Sequence, residues 1–163
     1  MRQIASLMAA AALLLAAAAE TARADEPAFL AASAGGFDIN DDDTSGEFRL
    51  EYRSDYRMWH VGPMIGLMAN TDGGVYGYGG LFIDIFFGDR WVVMPNAAVG
   101  GYRQGSSKDL GGILEFRTGV EIAYRFADKS RLGLAFQHIS NAGLAHKNPG
   151  TESLVLTYAI PFN

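Results

Sequence analysis

Leu114-Glu115-Phe116-Arg117-Thr118-Gly119-Val120-Glu121-Ile122-Ala123-Tyr124-Arg125-Phe126 alternates between two kinds of side chain almost without interruption. Leu114, Phe116, Val120, Ile122 and Tyr124 fall on one face, and Glu115, Arg117, Glu121 and Arg125 on the other. A period of two marks a strand with unlike faces, because successive side chains leave opposite sides of the backbone. Glu47-Phe48-Arg49-Leu50-Glu51-Tyr52-Arg53 repeats the pattern, with charge at the odd positions. A soluble sheet would turn the charged face to water. A transmembrane barrel would turn it to the lumen and give the apolar face to lipid. Periodicity alone does not separate the two.

The same alternation recurs outward from these segments and predicts eight strands, at about 27–39, 46–54, 58–70, 75–87, 91–103, 110–126, 131–140 and 152–162. Links near Ser54-Asp55, Gly88-Asp89-Arg90 and Asp128-Lys129-Ser130 are tight. Those near Asn40–Ser45, Arg103–Asp109 and Asn141–Thr151 are longer and polar, with Thr71–Gly74 a short exception. Short turns at one end and longer loops at the other fit an outer-membrane barrel with the short turns in the periplasm. Leu154, Leu156, Tyr158, Ile160 and Phe162 line one face of the last strand, and an aromatic close to its end resembles the assembly signal of such barrels. The expected fold is an all-β, eight-stranded antiparallel transmembrane β-barrel. A barrel of that size is filled by its own side chains, which argues against a pore. Glu47, Arg49, Glu51, Arg53, Glu115, Arg117, Glu121 and Arg125 should therefore pair inside it, as buried charges require.

Before the first strand, Arg2 precedes an uncharged stretch from Ile4 to Ala19, and Ala22-Arg23-Ala24 supplies a small-x-small cleavage pattern. This reads as a secretory signal over residues 1–24, with the barrel occupying 25–163. The apolar stretch is shorter than the roughly 20 residues a spanning helix needs. Losing Arg2, Arg23 and Glu20 with the leader moves the formal charge from −5 to −6. An acidic chain without a basic run lacks the electrostatic footprint of a nucleic-acid binder. With no cysteine there is no disulfide and no thiolate metal site. Twenty glycines and 17 tyrosines plus phenylalanines against five prolines suit a barrel rather than disorder.

The chemistry concentrates in Phe136-Gln137-His138-Ile139-Ser140-Asn141-Ala142-Gly143 and Asn148-Pro149-Gly150-Thr151-Glu152. His138 and Ser140 share the even face of strand seven with Leu132, Leu134 and Phe136. Glu152 shares the even face of strand eight with Leu154, Leu156 and Tyr158. All three polar groups then stand on the lipid-facing wall, at the extracellular rim where strand seven ends and strand eight begins. An antiparallel register that sets Ser140 opposite Glu152, or one slipped by two residues, keeps that parity. Polar side chains on a lipid-facing wall are expensive unless they serve a purpose. Their types match a nucleophile, a general base and a carboxylate that orients the base. Asn141 and the Gly143 amide follow the serine, where a glycine-permitted turn can aim donors at an oxyanion. The bland alternative is an incidental His-x-Ser with an ordinary Asn-Pro-Gly turn.

These residues resemble the lipid A 3-O-deacylase (PagL) family of outer-membrane barrel esterases, specifically from Phe136 to Glu152. The resemblance implies Ser140 as nucleophile, His138 as base, Glu152 as orienting acid, Asn141 and Gly143 as the oxyanion hole, and Asn148 as a supporting residue. It further implies hydrolysis, without cofactor or metal, of the ester-linked 3-hydroxyacyl chain at position 3 of lipid A in lipopolysaccharide. The wall at Leu134, Phe136 and Leu156 would form the acyl groove. A noncatalytic structural or adhesion barrel is the competing expectation, and a soluble ligand-binding barrel a third.

Elsewhere, Asp38, Asp41, Asp42 and Asp43 read as a solvated acidic loop in preference to a divalent-ion site. His146 and Lys147 read as exposed loop residues, and His60 as lumenal packing. Trp59, Trp91, Tyr102 and Tyr124 are candidate interface anchors. Gly77-Tyr78-Gly79-Gly80 is no phosphate loop, since neither a helix pattern nor Lys-Ser/Thr follows it.

Overall fold

A computed structural model describes residues 26–42 and 44–162. The leader expected over 1–24 and Asp43 of the acidic loop lie outside the described residues. Nine strand segments are present among them: β1 (Ala28–Phe37), β2 (Ser45–Arg53), β3 (Val61–Asn70), β4 (Val75–Ile83), β5 (Ile85–Phe87), β6 (Trp91–Arg103), β7 (Leu114–Arg125), β8 (Arg131–Ser140) and β9 (Thr151–Phe162). β4 and β5 are one strand interrupted at Asp84, because both pair with β6 in a single register (Val75↔Arg103, Ile85↔Val93). Every neighbouring pair is antiparallel, and β1 pairs with both β2 and β9. The result is a closed eight-stranded barrel without a free edge.

The ambiguity left by periodicity resolves on exposure. In β7, Ile122 is 51% exposed while its neighbour Glu121 is 2% exposed. The pattern holds around the ring: Leu50, Ile65, Leu67, Leu134, Leu156 and Ile160 all face outward, and the charged residues face inward. An apolar exterior around a charged, filled interior is the transmembrane arrangement.

Inside, Arg53 bridges Glu51 (2.7 Å) and Glu121 (2.6 Å), Arg117 reaches Glu51 at 3.0 Å, and Arg49 pairs with Glu47. Arg125 pairs with Glu26 at 2.9 Å. Glu115 departs from the expected network. It is fully buried but forms no ion pair among the described residues, and it stands beside Asn141 instead. Sequence reading also missed Arg131, which holds both Glu26 (3.0 Å) and Asp84 (2.8 Å) and stacks over the Phe29 ring at 4.3 Å. The break at Asp84 thus coincides with a carboxylate drawn into the lumen.

Three expectations need correction. His60 is exposed rather than lumenal, because β3 starts at Val61 and not 58. Met58 and Val61 pair across a tight turn with Trp59 at φ 63°, which takes Trp59 and His60 out of the strand. Tyr102 is not an interface anchor: it lies on the inward parity of β6, is buried, and donates its hydroxyl to Lys108 O at 2.9 Å. Asp38 is not solvated; it is buried against Lys108 and Thr151. At the short-turn end, outward rings do gather, with Tyr52 against Phe162, Trp91 against Tyr124 and Tyr124 against Phe126 at centroid separations of 5.6, 5.5 and 5.2 Å. One of those turns is fixed by Asp128, whose carboxylate accepts from the Ser130 hydroxyl (2.7 Å) and amide (3.0 Å) and is held below the usual carboxylate range by those bonds.

Candidate active site

β8 ends and β9 begins at the long-loop end of the barrel, and their register sets His138 opposite Glu152. Of the two pairings the parity allowed, the structure adopts the slipped one; Ser140 instead faces Phe116 on β7. Direct opposition brings the two side chains into contact on the outer wall. His138 Nδ1 lies 2.9 Å from Glu152 Oε1, a charge-assisted bond that fixes the ring and leaves Nε2 without a partner among the described residues. His138 is 42% exposed at its side chain and Glu152 25%, so the pair borders the surroundings rather than the lumen.

Ser140 is half-buried on the same face, two residues beyond the imidazole. Its hydroxyl has no hydrogen bond among the described residues, so no Nε2–Oγ contact of the kind a serine–histidine pair would use is made in this conformation. In free enzymes such contacts are commonly long and tighten when substrate binds.

The next residue turns inward. Asn141 is buried and saturated: Nδ2 donates to Leu110 O and to Lys147 O, both at 2.8 Å, and Oδ1 accepts the Gly143 amide at 3.0 Å. The two groups assigned by sequence to an oxyanion hole are thus bonded to each other. Asn148 differs. Its Oδ1 accepts the Asn141 amide at 3.0 Å, while Nδ2 has no partner among the described residues and the side chain is exposed. The turn itself depends on left-handed backbone at Ala142 (φ 54°) and Gly143 (φ 78°).

Gly150 is a site residue that sequence reading passed over as part of a turn. Its φ is 67°, and a Cβ there would sit 2.9 Å from His138 Cε1. The bare backbone therefore forms the wall on which the imidazole lies. The only local signal was the Asn-Pro-Gly triplet. Glu152 is braced too, since its carbonyl accepts the Ile39 amide from the β1–β2 loop at 3.1 Å.

The profile of the family described as Lipid A 3-O-deacylase (PagL) matches residues 28–161, nearly the whole described barrel. The chain belongs to that family. Among its PagL relatives, the lipid A deacylase PagL of Pseudomonas aeruginosa is 35% identical over 86 residues, covering 50% of this chain and 49% of that protein. The lipid A deacylase PagL of Bordetella bronchiseptica is 32% identical over 57 residues, covering 35% of this chain and 32% of that protein. The aligned segments thus span between about a third and a half of these PagL relatives. In fold, the chain is similar to the crystal structure of the outer membrane enzyme PagL, with a TM-score of 0.62 at 22% identity over 82% of this chain and 99% of that one. Neisserial surface protein A superimposes as well, with a TM-score of 0.62 at 11% identity over 83% of this chain and 97% of that one. The PagL barrel architecture is therefore shared with proteins of quite different sequence.

Proposed function

We propose that this protein is an outer-membrane esterase that removes the ester-linked 3-hydroxyacyl chain from position 3 of lipid A, with Ser140 as nucleophile, His138 as base and Glu152 as orienting acid. The observation that carries this reading is the His138–Glu152 pair at 2.9 Å on the outer wall, with Ser140 beside it on the same face. Family membership supports the substrate class.

Glu152 accepts the Nδ1 proton of His138, which leaves Nε2 as the basic nitrogen. That nitrogen takes the Ser140 proton as Oγ attacks the ester carbonyl. The tetrahedral intermediate collapses, the sugar oxygen leaves with the proton from His138, and the acyl group stays on Ser140. Water, deprotonated by the same imidazole, then releases the 3-hydroxy fatty acid and restores the serine. No cofactor enters these steps.

For the oxyanion we favour Asn148 over Asn141, on the hydrogen bonds each already makes. Asn141 is consumed within its turn, whereas Asn148 Nδ2 has no partner among the described residues and is the side-chain donor we assign to the oxyanion. The Gly143 amide is the second candidate donor and would exchange Asn141 Oδ1 for the oxyanion.

Below the pair, Phe136↔Leu154 and Leu134↔Leu156 form an apolar strip along the outer wall. From His138 to Leu132 it runs roughly 20 Å at about 3.4 Å per residue, enough to lay an acyl chain alongside. On this reading the long loops stand at the cell surface and the serine works in the outer leaflet, where lipid A resides. Mass spectrometry of lipid A from cells expressing the wild type or Ser140→Ala tests the reading. The wild type should remove the mass of one 3-hydroxyacyl group, and the variant should insert as a closed barrel and remove none. Full activity in the variant would refute the assignment.

A further inference from the structure

The loop 104–113 contributes nothing to the Ser140–His138–Glu152 group, yet it reaches both of its ends. Tyr102 anchors the loop through Lys108 O at 2.9 Å. On the serine side, Leu110 O receives Asn141 Nδ2 at 2.8 Å, and Leu110 itself is buried in the barrel mouth. Gly111, at φ 96°, lies so close to Lys147 that a Cβ would fall 2.1 Å from its carbonyl oxygen. Asp109 pairs with Lys147 at 2.8 Å, and that bond, followed by the Gly111 amide, holds its carboxyl below the usual range.

On the acid side the contact is relayed. Lys108 Nζ donates to Asp38 Oδ1 at 2.7 Å and to Asp41 Oδ2 at 2.5 Å. The same Asp38 oxygen accepts the Thr151 hydroxyl at 3.0 Å, and the Ile39 amide binds the Glu152 carbonyl at 3.1 Å. Asp38 stands at φ 59°, a left-handed conformation that turns its carboxylate inward to both partners. The β1–β2 and β6–β7 hairpins lie on opposite sides of the ring, so Lys108 spans the mouth of the barrel. Burial works against its charge, but the hydrogen bonds and charges of the two aspartates prevail and hold it above the ordinary lysine range.

We propose that Lys108 is a positioning residue, clamping Asp38 so that residues 151–152 stay in register with His138 while its own loop fixes Asn141 behind Ser140. The inference rests on the serine-esterase reading above. It assigns to a lysine with no place at the reacting atoms a share in aligning the two halves of the site, which also meet through the β8–β9 pairing and the His138–Glu152 bond.

The test is the rate at which a long-chain alkyl fluorophosphonate labels Ser140 in the detergent-extracted full chain. In that step Oγ bonds to phosphorus, fluoride leaves and the serine proton passes to His138. Lys108→Met and Asp38→Asn should each slow labelling about tenfold or more, since sub-ångström misalignment of a catalytic group is enough for losses of that order. Lys108→Arg should recover most of the rate, and Asp42→Asn, on the same acidic loop, should match the wild type. Lipid A deacylation should lose kcat with KM unchanged. Closed barrels migrate faster than heated ones in gels, which verifies folding. Asp38→Asn keeps size and the Thr151 acceptor, so it serves where Lys108→Met fails to fold. Wild-type labelling by either folded variant, or a change confined to KM, overturns the clamp. A wild type that does not label overturns the serine reading itself.

Discussion

Replacing Gly150 by alanine should cripple the site through one methyl group. The added Cβ would stand 2.9 Å from His138 Cε1 and 3.6 Å from Nε2. Carbon atoms in contact prefer about 3.5–4.0 Å, so the ring must withdraw by about 0.6–1.1 Å. It has little room to do so, because Glu152 holds Nδ1 at 2.9 Å and the strand pairing fixes both backbones. A base displaced by that distance loses up to about a hundredfold in rate, or about 2.7 kcal/mol of barrier. The backbone contributes separately: φ of 67° carries about 1–2 kcal/mol of strain for a residue with a Cβ. Gly73 separates the two effects. It has φ 80° and open space where its Cβ would go, so Gly73→Ala carries the strain without the collision. In mixed micelles of lipid A and detergent, Gly150→Ala should lose kcat by ten- to a hundredfold while Gly73→Ala keeps it, and both should unfold at lower denaturant than the wild type. A Gly150→Ala enzyme with full kcat would refute the claim that this backbone seats the imidazole.

Three further substitutions probe other parts of the molecule. Asn148→Ala should lower kcat by about 10²–10³-fold with the loops intact, the usual cost of one oxyanion donor. Asn141→Ala removes three hydrogen bonds worth about 1 kcal/mol each and should expose loop 141–150 to limited proteolysis; the opposite assignment would follow if only Asn141→Ala left the loop protected. Arg131→Met strands two buried carboxylates, although Arg125 still reaches Glu26 and Arg57 lies 3.5 Å from Asp84. It should cost about 3 kcal/mol in urea unfolding from lipid vesicles, and a loss below about 1 kcal/mol would show that those neighbours suffice.

The strands were legible because the two faces of a barrel wall meet such different surroundings that every second residue reports its side. Glu121 and Ile122 declare the wall without any knowledge of their neighbours. Ends were less legible: Trp59 and His60 continue the apolar rhythm, yet a left-handed turn removes them from β3. Tyr102 shows that an aromatic near a strand end can belong to the lumen when its parity says so. The pairing of His138 with Glu152 was readable down to a two-residue slip, since hairpin neighbours are constrained by the chain between them. The braces were not readable. Lys108 and Asp38 are 70 residues apart, and nothing local to either names the other. Gly150 was hidden for a different reason, as its role is to leave space empty.

Among the described residues the outward ring contacts gather at the short-turn end, a position from which aromatic rings anchor a barrel to a membrane face. Tyr124 of that group is level with Leu132, and Thr118 with His138, a run of six residues along the wall. With strands tilted about 40°, this amounts to about 16 Å of height. That distance belongs to the polypeptide, whereas the thickness of the leaflets belongs to the lipids. With His138 as the proposed base, the protein would act as a depth gauge, offering its chemistry at a level set by six residues of strand, whatever membrane surrounds it.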